Sequence, residues 1–163
     1  MEIGYIVGRF QPLHIGHIEL INQLILKFDY PIVFIGSANK YNEDKNPYSF
    51  FQRKRFIHDI FPDITVLGID DYNDNELWSS VLHNKIIEHL SLKGIKHTNI
   101  NFLSSSKGND HKLRENWTNN YGHHVINIPP LHNISATNVR KYIKNKDPKV
   151  YKLIDKKTLG LIY

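Results

Sequence analysis

The alternation of five short apolar segments with helical patterns most constrains the fold of this chain. The segments span residues 3–7, 31–36, 64–69, 100–105 and 124–128. Runs of this kind are typical of strands buried on both faces of a parallel sheet. The sequence therefore predicts a Rossmann-like α/β fold: a doubly wound, parallel five-stranded sheet with helices on both faces. In such sheets ligands bind at the carboxyl ends of the strands, where the chain direction switches.

Three helices are predicted between the first four strands. Apolar residues recur at steps of three and four across 18–28, which is the stripe of a helix packed on a sheet. Ser49 can cap a second helix that stops at Pro62, and a third apolar stripe runs from Trp78 to Leu90. These helices supply the layers that cover the predicted sheet.

The C-terminal half carries weaker helical signals. A polar stretch at 110–119 is the weakest, whereas Ser135 can cap a helix with a clear apolar face. A last helical segment is expected at about 147–160, with Asp147 as its cap and a proline directly after it. Because 163 residues with 40% hydrophobic content suit one core, we expect a single domain over 1–163.

Composition limits the partners of the chain. Lys and Arg outnumber Asp and Glu by 21 to 16, and the sequence pI is about 9.3, which favours anionic ligands. There is no apolar run near the length of about 20 residues that a membrane-spanning helix needs, and the opening residues carry no secretion signal. The chain has no cysteine, which fits a reducing compartment. We therefore expect a cytoplasmic protein without a membrane partner.

The stretch GRFQPLHIGH, residues 8–17, concentrates groups that bind phosphate directly after the first predicted strand. Gly8 lets the backbone approach a ligand closely, and Arg9 adds a planar side chain with several donors. His14 and His17 lie one turn apart at the start of the first helix, whose positive end attracts anions. The stretch predicts a polyphosphate-binding turn, although the chain has no Walker lysine motif.

A zinc site is the alternative interpretation of the two histidines. Zinc-protease helices space their histidines by four residues and place a Glu beside the first. Here the spacing is three, and the next carboxylate is Glu19. The spacing therefore favours phosphate over zinc.

Two motifs carry a resemblance to a known family. GRFQPLHIGH resembles the first signature of the HxGH nucleotidyltransferase superfamily, and ISATNVR at 134–140 resembles its second. The GRFQP stretch is most similar to the corresponding stretch of nicotinamide-nucleotide adenylyltransferases of the archaeal type and of their bacterial relatives with an added Nudix domain. Segments 36–57 and 70–82 also resemble that family, and no Nudix domain is expected within this length.

The resemblance implies an enzyme that joins ATP and nicotinamide mononucleotide (NMN) to give NAD and pyrophosphate. It implies Mg²⁺ held mainly by the ATP phosphates, with no dedicated protein ligands for a metal. Small-molecule substrates are the expected partners, nucleic acid is not, and a homo-oligomer is left open.

The resemblance also implies roles for individual residues. The implied catalytic residues are His14, His17 and Arg140. The implied ATP-binding residues are Gly8, Arg9, Phe10, His14, Gly16, His17, Lys107, Gly108, Asp110, Ser135, Thr137 and Arg140. The implied NMN-binding residues are Asn39, Asn46, Arg53 and Trp78, with the Trp face stacking on the pyridinium ring. The alternative for Trp78 is a place in the core, because it opens an apolar helix stripe.

Other functions remain open at this point. The same two motifs serve transfer to nicotinate mononucleotide, phosphopantetheine or FMN, although the acidic segment DDYNDNE at 70–76 favours an amide over a carboxylate on the acceptor ring. A nucleotide-sensing regulator or a basic nucleic-acid-binding module is the alternative from another class. No helix-turn-helix or RNA-binding signature supports the latter.

Overall fold

A five-stranded parallel sheet forms the centre of the chain in the computed structural model, in the order β3-β2-β1-β4-β5. The model describes residues 1–105, 109–130 and 132–163, without the side chains of 109–111 and 113. This sheet confirms the predicted fold class. The strands are β1 (Glu2–Gly8), β2 (Tyr30–Ile35), β3 (Thr65–Gly68), β4 (Asn99–Ser104) and β5 (His124–Asn127).

The strand order places the switch point of the sheet between β1 and β4. Strand β1 pairs with β2 from Ile3 opposite Tyr30 onward, and with β4 from Glu2 opposite Asn99 onward. The chain winds from β1 through β2 to β3 on one side and from β4 to β5 on the other. The carboxyl ends of β1 and β4 therefore flank the crevice where such sheets bind ligands.

The helices follow the predicted order, and their ends are set by capping side chains. The Ser49 and Ser135 hydroxyls accept N–H bonds from Gln52 and Asn138, so both predicted caps are present. None of the helices in the described part of the chain is both long and apolar enough to cross a bilayer. The helices are α1 (Ile15–Lys27), α2 (Phe50–His58), α3 (Asn75–Leu92), α4 (Asn109–Asn120), α5 (Ala136–Lys144) and α6 (Lys156–Ile162).

The C-terminal segment differs from the single helix expected at about 147–160. A short 3-10 helix, Pro148–Lys152, follows the predicted Asp147 cap, and α6 begins only after a second cap. The Asp155 carboxylate accepts the N–H of Lys157 at 2.8 Å, which starts the new helix. The segment is divided because it contains two aspartate caps eight residues apart.

Two apolar clusters cover the two faces of the sheet. Ile6 and Val33 pack with Leu24 of α1 and Ile57 of α2 on one face. On the other face, α3 packs its apolar stripe, including Trp78, on alternate residues of β1, β2 and β4. The alternation of strand side chains explains why both faces need helices. A third, smaller cluster joins α5, the 3-10 helix and α6.

We expect Gly4→Ala to destabilise the protein, because a Cβ at this buried strand position would lie 2.0 Å from Cδ2 of Phe28. Overpacking of this kind costs about 1–3 kcal/mol, or a fall in Tm of about 2–10 °C for a chain of this size. Gly160→Ala is the matched control, because a Cβ there meets nothing within 4 Å. Thermal unfolding followed by circular dichroism measures both. An equal change in Tm in the two variants would contradict the packing argument.

Candidate active site

A cavity of about 280 Å³ opens at the switch point between β1 and β4. Its walls come from the ends of these strands, the first turn of α1, and the segment between β5 and α5. The cavity thus lies where doubly wound sheets bind their ligands. The lining residues are Val7, His14, Gly16, His17, Leu20, Trp78, Phe102, Leu103, Ser104, Ser105, Arg114, Ile128, Pro130, His132 and Ile134.

His14 and His17 cap the helix α1 reciprocally. His14 Nδ1 accepts the backbone N–H groups of Gly16 and His17 at 3.2 and 3.4 Å, and His17 Nδ1 accepts the N–H of His14 at 3.2 Å. This is a capping box in which two imidazoles replace the usual Ser and Glu. The two rings stack with centroids 3.6 Å apart.

These hydrogen bonds also determine the tautomer of both rings. An imidazole nitrogen that accepts a backbone N–H carries no proton, so the ring proton of each histidine is assigned to Nε2. Burial, with a contribution from the charge of His132, lowers the pKa of His14 to about 4. Burial and His14 hold the pKa of His17 well below its ordinary value. At neutral pH both rings, which belong to residues that line the cavity, are therefore uncharged and carry their proton on Nε2.

Two small features hold these rings in place. A Cβ on Gly16 would lie 3.0 Å from Cε1 of His14, so the glycine makes room for the capping imidazole. Phe10 adopts a positive φ of 51° and is buried, with its ring packed on Gly8 and edge-on to His17 at 4.8 Å. The Phe10 side chain therefore packs on His17 and is not among the described residues that line the cavity, and the contact of Phe10 with ATP stays a prediction.

A group of arginines gathers around the turn after β1. Arg140 donates to the carbonyl of Gln11 at 3.1 Å and to Thr137 Oγ1 at 3.3 Å, which joins α5 to this turn. Arg9 is exposed beside it. Burial, together with the charge of Arg9, lowers the pKa of both Arg140 and Arg53. Like charges held this close favour the binding of an anion, which would relieve their repulsion.

Arg53 has a structural role, and its burial contradicts the predicted contact with a substrate phosphate. The side chain has no exposed surface, and its N–H groups donate to the backbone carbonyls of Arg9, Gly36, Ser37, Lys40 and Ser49. A buried guanidinium is stable only when its donors are satisfied, and here carbonyls of three loop segments satisfy them. Arg53 therefore holds together the loops that follow β1 and β2.

The predicted acceptor-side asparagines lie on the β2 side, outside the lining of the cavity. Asn39 is exposed and accepts the N–H of Asp71 at 3.1 Å. Asn46 is buried and donates to the Glu43 carboxylate at 3.1 Å, while its Oδ1 has no hydrogen-bond partner among the described residues. A buried acceptor without a donor is a candidate for contact with a ligand.

Gln11 is a residue whose importance sequence reasoning missed. It is buried and clamps the segment around Tyr48 with two hydrogen bonds of 2.9 Å, one donated to the Tyr48 carbonyl and one accepted from its N–H. The clamp fixes the turn after β1 against the segment before α2. Its signal in the sequence is its place in the GRFQP stretch, directly before a proline.

Trp78 lines the cavity with only 2% of its surface exposed, so it belongs to both the core and the site wall. The guanidinium carbon of Arg114 lies 4.6 Å from the centre of its ring, a cation–π contact. The sequence offered no signal for this contact, because it depends on the packing of α4 against α3. The predicted ATP contacts Lys107 and Gly108, and the side chain of Asp110, lie outside the described residues.

The residues predicted for the site thus come together in part. His14, Gly16, His17 and Trp78 line one cavity, whereas Ser135 and Thr137 are exposed at the start of α5. His132, on the segment between β5 and α5, reaches Glu19 of α1 and lines the same cavity. Among the described residues, no group of three or more His, Cys, Asp or Glu side chains is placed to hold a metal ion.

The fold and the cavity together define a doubly wound α/β domain with a cavity at its switch point. The chain belongs to the cytidylyltransferase-like family, whose model matches residues 5–142. This membership agrees with the resemblance carried by the motifs GRFQPLHIGH and ISATNVR.

Curated relatives share about half of the chain. Nicotinamide-nucleotide adenylyltransferase of Methanolobus tindarius is 33% identical over 84 residues, which are 49% of this chain and 49% of that protein. The enzyme of the same name from Picrophilus torridus is 36% identical over 82 residues, which are 47% and 48% of the two chains. The match therefore spans about half the length of each relative.

A solved structure matches nearly the whole chain. A bifunctional NMN adenylyltransferase/ADP ribose pyrophosphatase from Francisella tularensis superposes with a TM-score of 0.78. The match covers 98% of this chain and 48% of that chain at 24% sequence identity. This likeness shows the fold.

We expect the free energy of unfolding to fall as the pH falls from 7 to 5. In the unfolded chain His14 takes up a proton near pH 6.5, whereas in the folded chain it does so only near pH 4. The difference in protonation of this residue should lower the free energy of unfolding by about 2 kcal/mol between pH 7 and pH 5. His14→Asn keeps a capping oxygen and does not titrate, so its Tm should depend less on pH.

Thermal unfolding of both proteins at pH 7, 6 and 5 tests this expectation. His14→Ala serves as the comparison that removes the cap as well, which costs about 1 kcal/mol at pH 7. If the Tm of the wild type and of His14→Asn fell by the same amount between pH 7 and pH 5, burial of His14 would not disfavour its charged form.

Proposed function

We propose that this protein transfers the adenylyl group of ATP to NMN, giving NAD and pyrophosphate. The observation that carries the proposal is the reciprocal cap of His14 and His17, which leaves the ring protons of two residues that line the switch-point cavity on Nε2. The match to the cytidylyltransferase-like family and the names of the relatives support the same reaction. Because its substrates are cell metabolites, we also propose that it acts in the cytoplasm.

The reaction suits a site without a general base. An oxygen of the NMN 5′-phosphate attacks the α-phosphorus of ATP, and the bond to the bridging oxygen of pyrophosphate breaks. The nucleophile is already an anion, so no residue has to remove a proton from it. Catalysis then depends on in-line positioning and on donors for the charge of the phosphates.

The described residues supply these donors from two helices. We propose that His14 and His17 hold the transferring phosphate through Nε2–H, aided by the positive end of α1. Arg140 and Arg9 face the β- and γ-phosphates from the turn after β1 and the start of α5, with Ser135 and Thr137 as further donors. The cluster of like charges at Arg9 and Arg140 supports this placement.

The acceptor would bind beside Trp78, the largest aromatic side chain on the cavity wall. The unpartnered Oδ1 of Asn46 supports a polar contact on the neighbouring β2 side, which the proposal assigns to the acceptor nucleotide. Arg53 contributes by holding the intervening loops rather than by touching the phosphate.

We propose that Mg²⁺ enters the site with the ATP phosphates. The donors on the cavity wall are imidazoles, hydroxyls and a guanidinium, whereas Mg²⁺ prefers carboxylate, phosphate and water oxygens. The ion would neutralise part of the charge on the leaving pyrophosphate when bound.

We expect His17→Gln to lower kcat by about 10²–10³-fold, the usual cost of removing one donor from a charged transition state. Glutamine is a normal capping-box residue at this helix position, so it can still accept the N–H of His14 and preserve the fold. Steady-state kinetics and Tm are measured together. His97→Gln is the control, because His97 is exposed on a loop remote from the described cavity lining.

A loss of activity with an unchanged Tm in His17→Gln, and neither change in His97→Gln, is the expected result. A kcat within threefold of the wild type would remove His17 from the proposed phosphate site.

The reaction itself is tested by mass spectrometry of the products. Purified protein, ATP and Mg²⁺ are incubated separately with NMN, nicotinate mononucleotide, phosphopantetheine and FMN. The proposal expects NAD and pyrophosphate from NMN. Product from nicotinate mononucleotide, phosphopantetheine or FMN alone would keep the phosphate site but reject the acceptor, and no product from any of the four would reject the transferase.

A further inference from the structure

We propose that this protein binds single-stranded nucleic acid through a basic surface on α5 and the 3-10 helix. None of the residues of this surface lines the described cavity. The inference goes beyond the proposed reaction and departs from the expectation that nucleic acid is not a partner. The basic surface consists of Lys141, Lys144, Lys146, Lys149 and Lys152, with Tyr151 among them.

The positive charge of the chain is concentrated in one short segment. Residues 140–157 hold eight of the 21 Lys and Arg but only two of the 16 Asp and Glu, which gives the segment a formal charge of +6. Because the whole chain carries +5, all other residues together carry −1. Basic residues clustered in this way, on a chain that is otherwise nearly neutral, are typical of a surface that binds a polyanion.

The two carboxylates of this segment serve as helix caps. Asp147 accepts the N–H of Lys149 at 3.0 Å, and Asp155 accepts the N–H of Lys157 at 2.8 Å. No lysine of the segment forms an ion pair with a carboxylate in the described part of the chain. The positive charge of the segment is therefore left for a partner.

The lysines lie in pairs that repel one another. Lys141 and Lys144 are one turn apart on α5, and Lys149 and Lys152 are one turn apart on the 3-10 helix. Lys149 Nζ lies 5.4 Å from the ring centre of Tyr142, which brings the lysines of the 3-10 helix beside those of α5. A row of phosphates bound here would relieve the repulsion within both pairs.

The exposed side chains favour a nucleic acid over a membrane. The apolar side chains of α5, the 3-10 helix and α6 pack together in the third cluster, so no Leu, Ile or Val of 140–157 is exposed for insertion into a bilayer. Tyr151, by contrast, is 68% exposed and lies between Lys149 and Lys152 in the chain. A tyrosine ring among lysines can stack on an unpaired base while the ammonium groups bind the neighbouring phosphates.

The test measures the binding of a fluorescein-labelled oligouridylate of about 20 nucleotides by fluorescence anisotropy. At about 0.1 M salt we expect a Kd of about 1–100 µM, the usual strength of non-specific binding. Log Kd should rise with log salt with a slope of about 2 to 3.5, because each lysine on a phosphate of a single strand contributes about 0.7. A Kd weaker than about 100 µM, or a slope below about 1, would overturn the inference.

A triple variant locates the contact on the basic surface. The changes Lys144→Gln, Lys149→Gln and Lys152→Gln together should weaken binding by about 10- to 100-fold at about 0.1 M salt and lower the slope by about 2. All three residues are exposed, so Tm should stay close to that of the wild type.

The matched control changes net charge by the same amount elsewhere. Lys27→Gln, Lys85→Gln and Lys96→Gln together remove three exposed lysines from other segments. Their Kd should stay within about threefold of the wild type, because charges far from the contact are screened at this salt concentration. Equal weakening in the two triple variants would show that net charge alone attracts the oligouridylate, and would overturn the inference.

Tyr151→Ala tests the single-strand assignment. Loss of one stacked base should weaken binding by about 5- to 100-fold. Tyr41→Ala is the control, because Tyr41 is 59% exposed on a segment outside the basic surface. An unchanged Kd in Tyr151→Ala would overturn the assignment of this surface to a single strand.

Two further probes separate this surface from other partners and from the cavity. Vesicles of equal parts phosphatidylserine and phosphatidylcholine should not compete for the protein, and binding to the vesicles without binding to the oligouridylate would overturn the inference. Saturating ATP and Mg²⁺ at constant ionic strength should leave the oligouridylate bound. Its displacement would place the oligouridylate in the cavity and overturn the separate surface, whereas absence of adenylyl transfer would reject the proposed function alone.

Discussion

The reciprocal hydrogen bonds between His14 and His17 are the constraint on which the proposed site depends. The same Nδ1 atoms that satisfy the first N–H groups of α1 fix the ring proton of each imidazole on Nε2. The same hydrogen bonds thus begin helix α1 and fix the ring protons of two residues on the cavity wall. Burial keeps both rings neutral, so they act as donors, and the positive charge near the cavity comes from arginines and the helix end.

The arginines divide into structural and exposed members of one electropositive region. Arg53 is fully buried and uses its donors on loop carbonyls, which fixes the turn after β1 against the loops after β2. Arg140 ties α5 to the same turn through the Gln11 carbonyl. Arg9 remains exposed beside them, and its charge disfavours the charged forms of the other two. Such a region is stabilised when a polyphosphate binds to it.

The cavity wall combines the turn that carries His14 and His17 with Trp78 and Arg114 from α3 and α4. Trp78 is anchored in the core beneath α3, so its ring gives a rigid surface. Arg114 reaches that ring from α4, with its guanidinium carbon 4.6 Å from the ring centre, and lines the same cavity. This part of the wall therefore depends on tertiary packing between two helices, whereas the turn with His14 and His17 is a continuous stretch of chain.

The sequence by itself determined the sheet, the order of its helices, the Ser49 and Ser135 caps and the position of the turn proposed to bind phosphate. These features are local: strand runs, caps and the spacing of His14 and His17 are visible over a few residues. Tertiary structure alone decided that Arg53 is buried and that Arg114 covers Trp78. Both depend on contacts between segments distant in the chain, where burial rather than residue type determines whether a charged side chain supports the fold or faces the ligand.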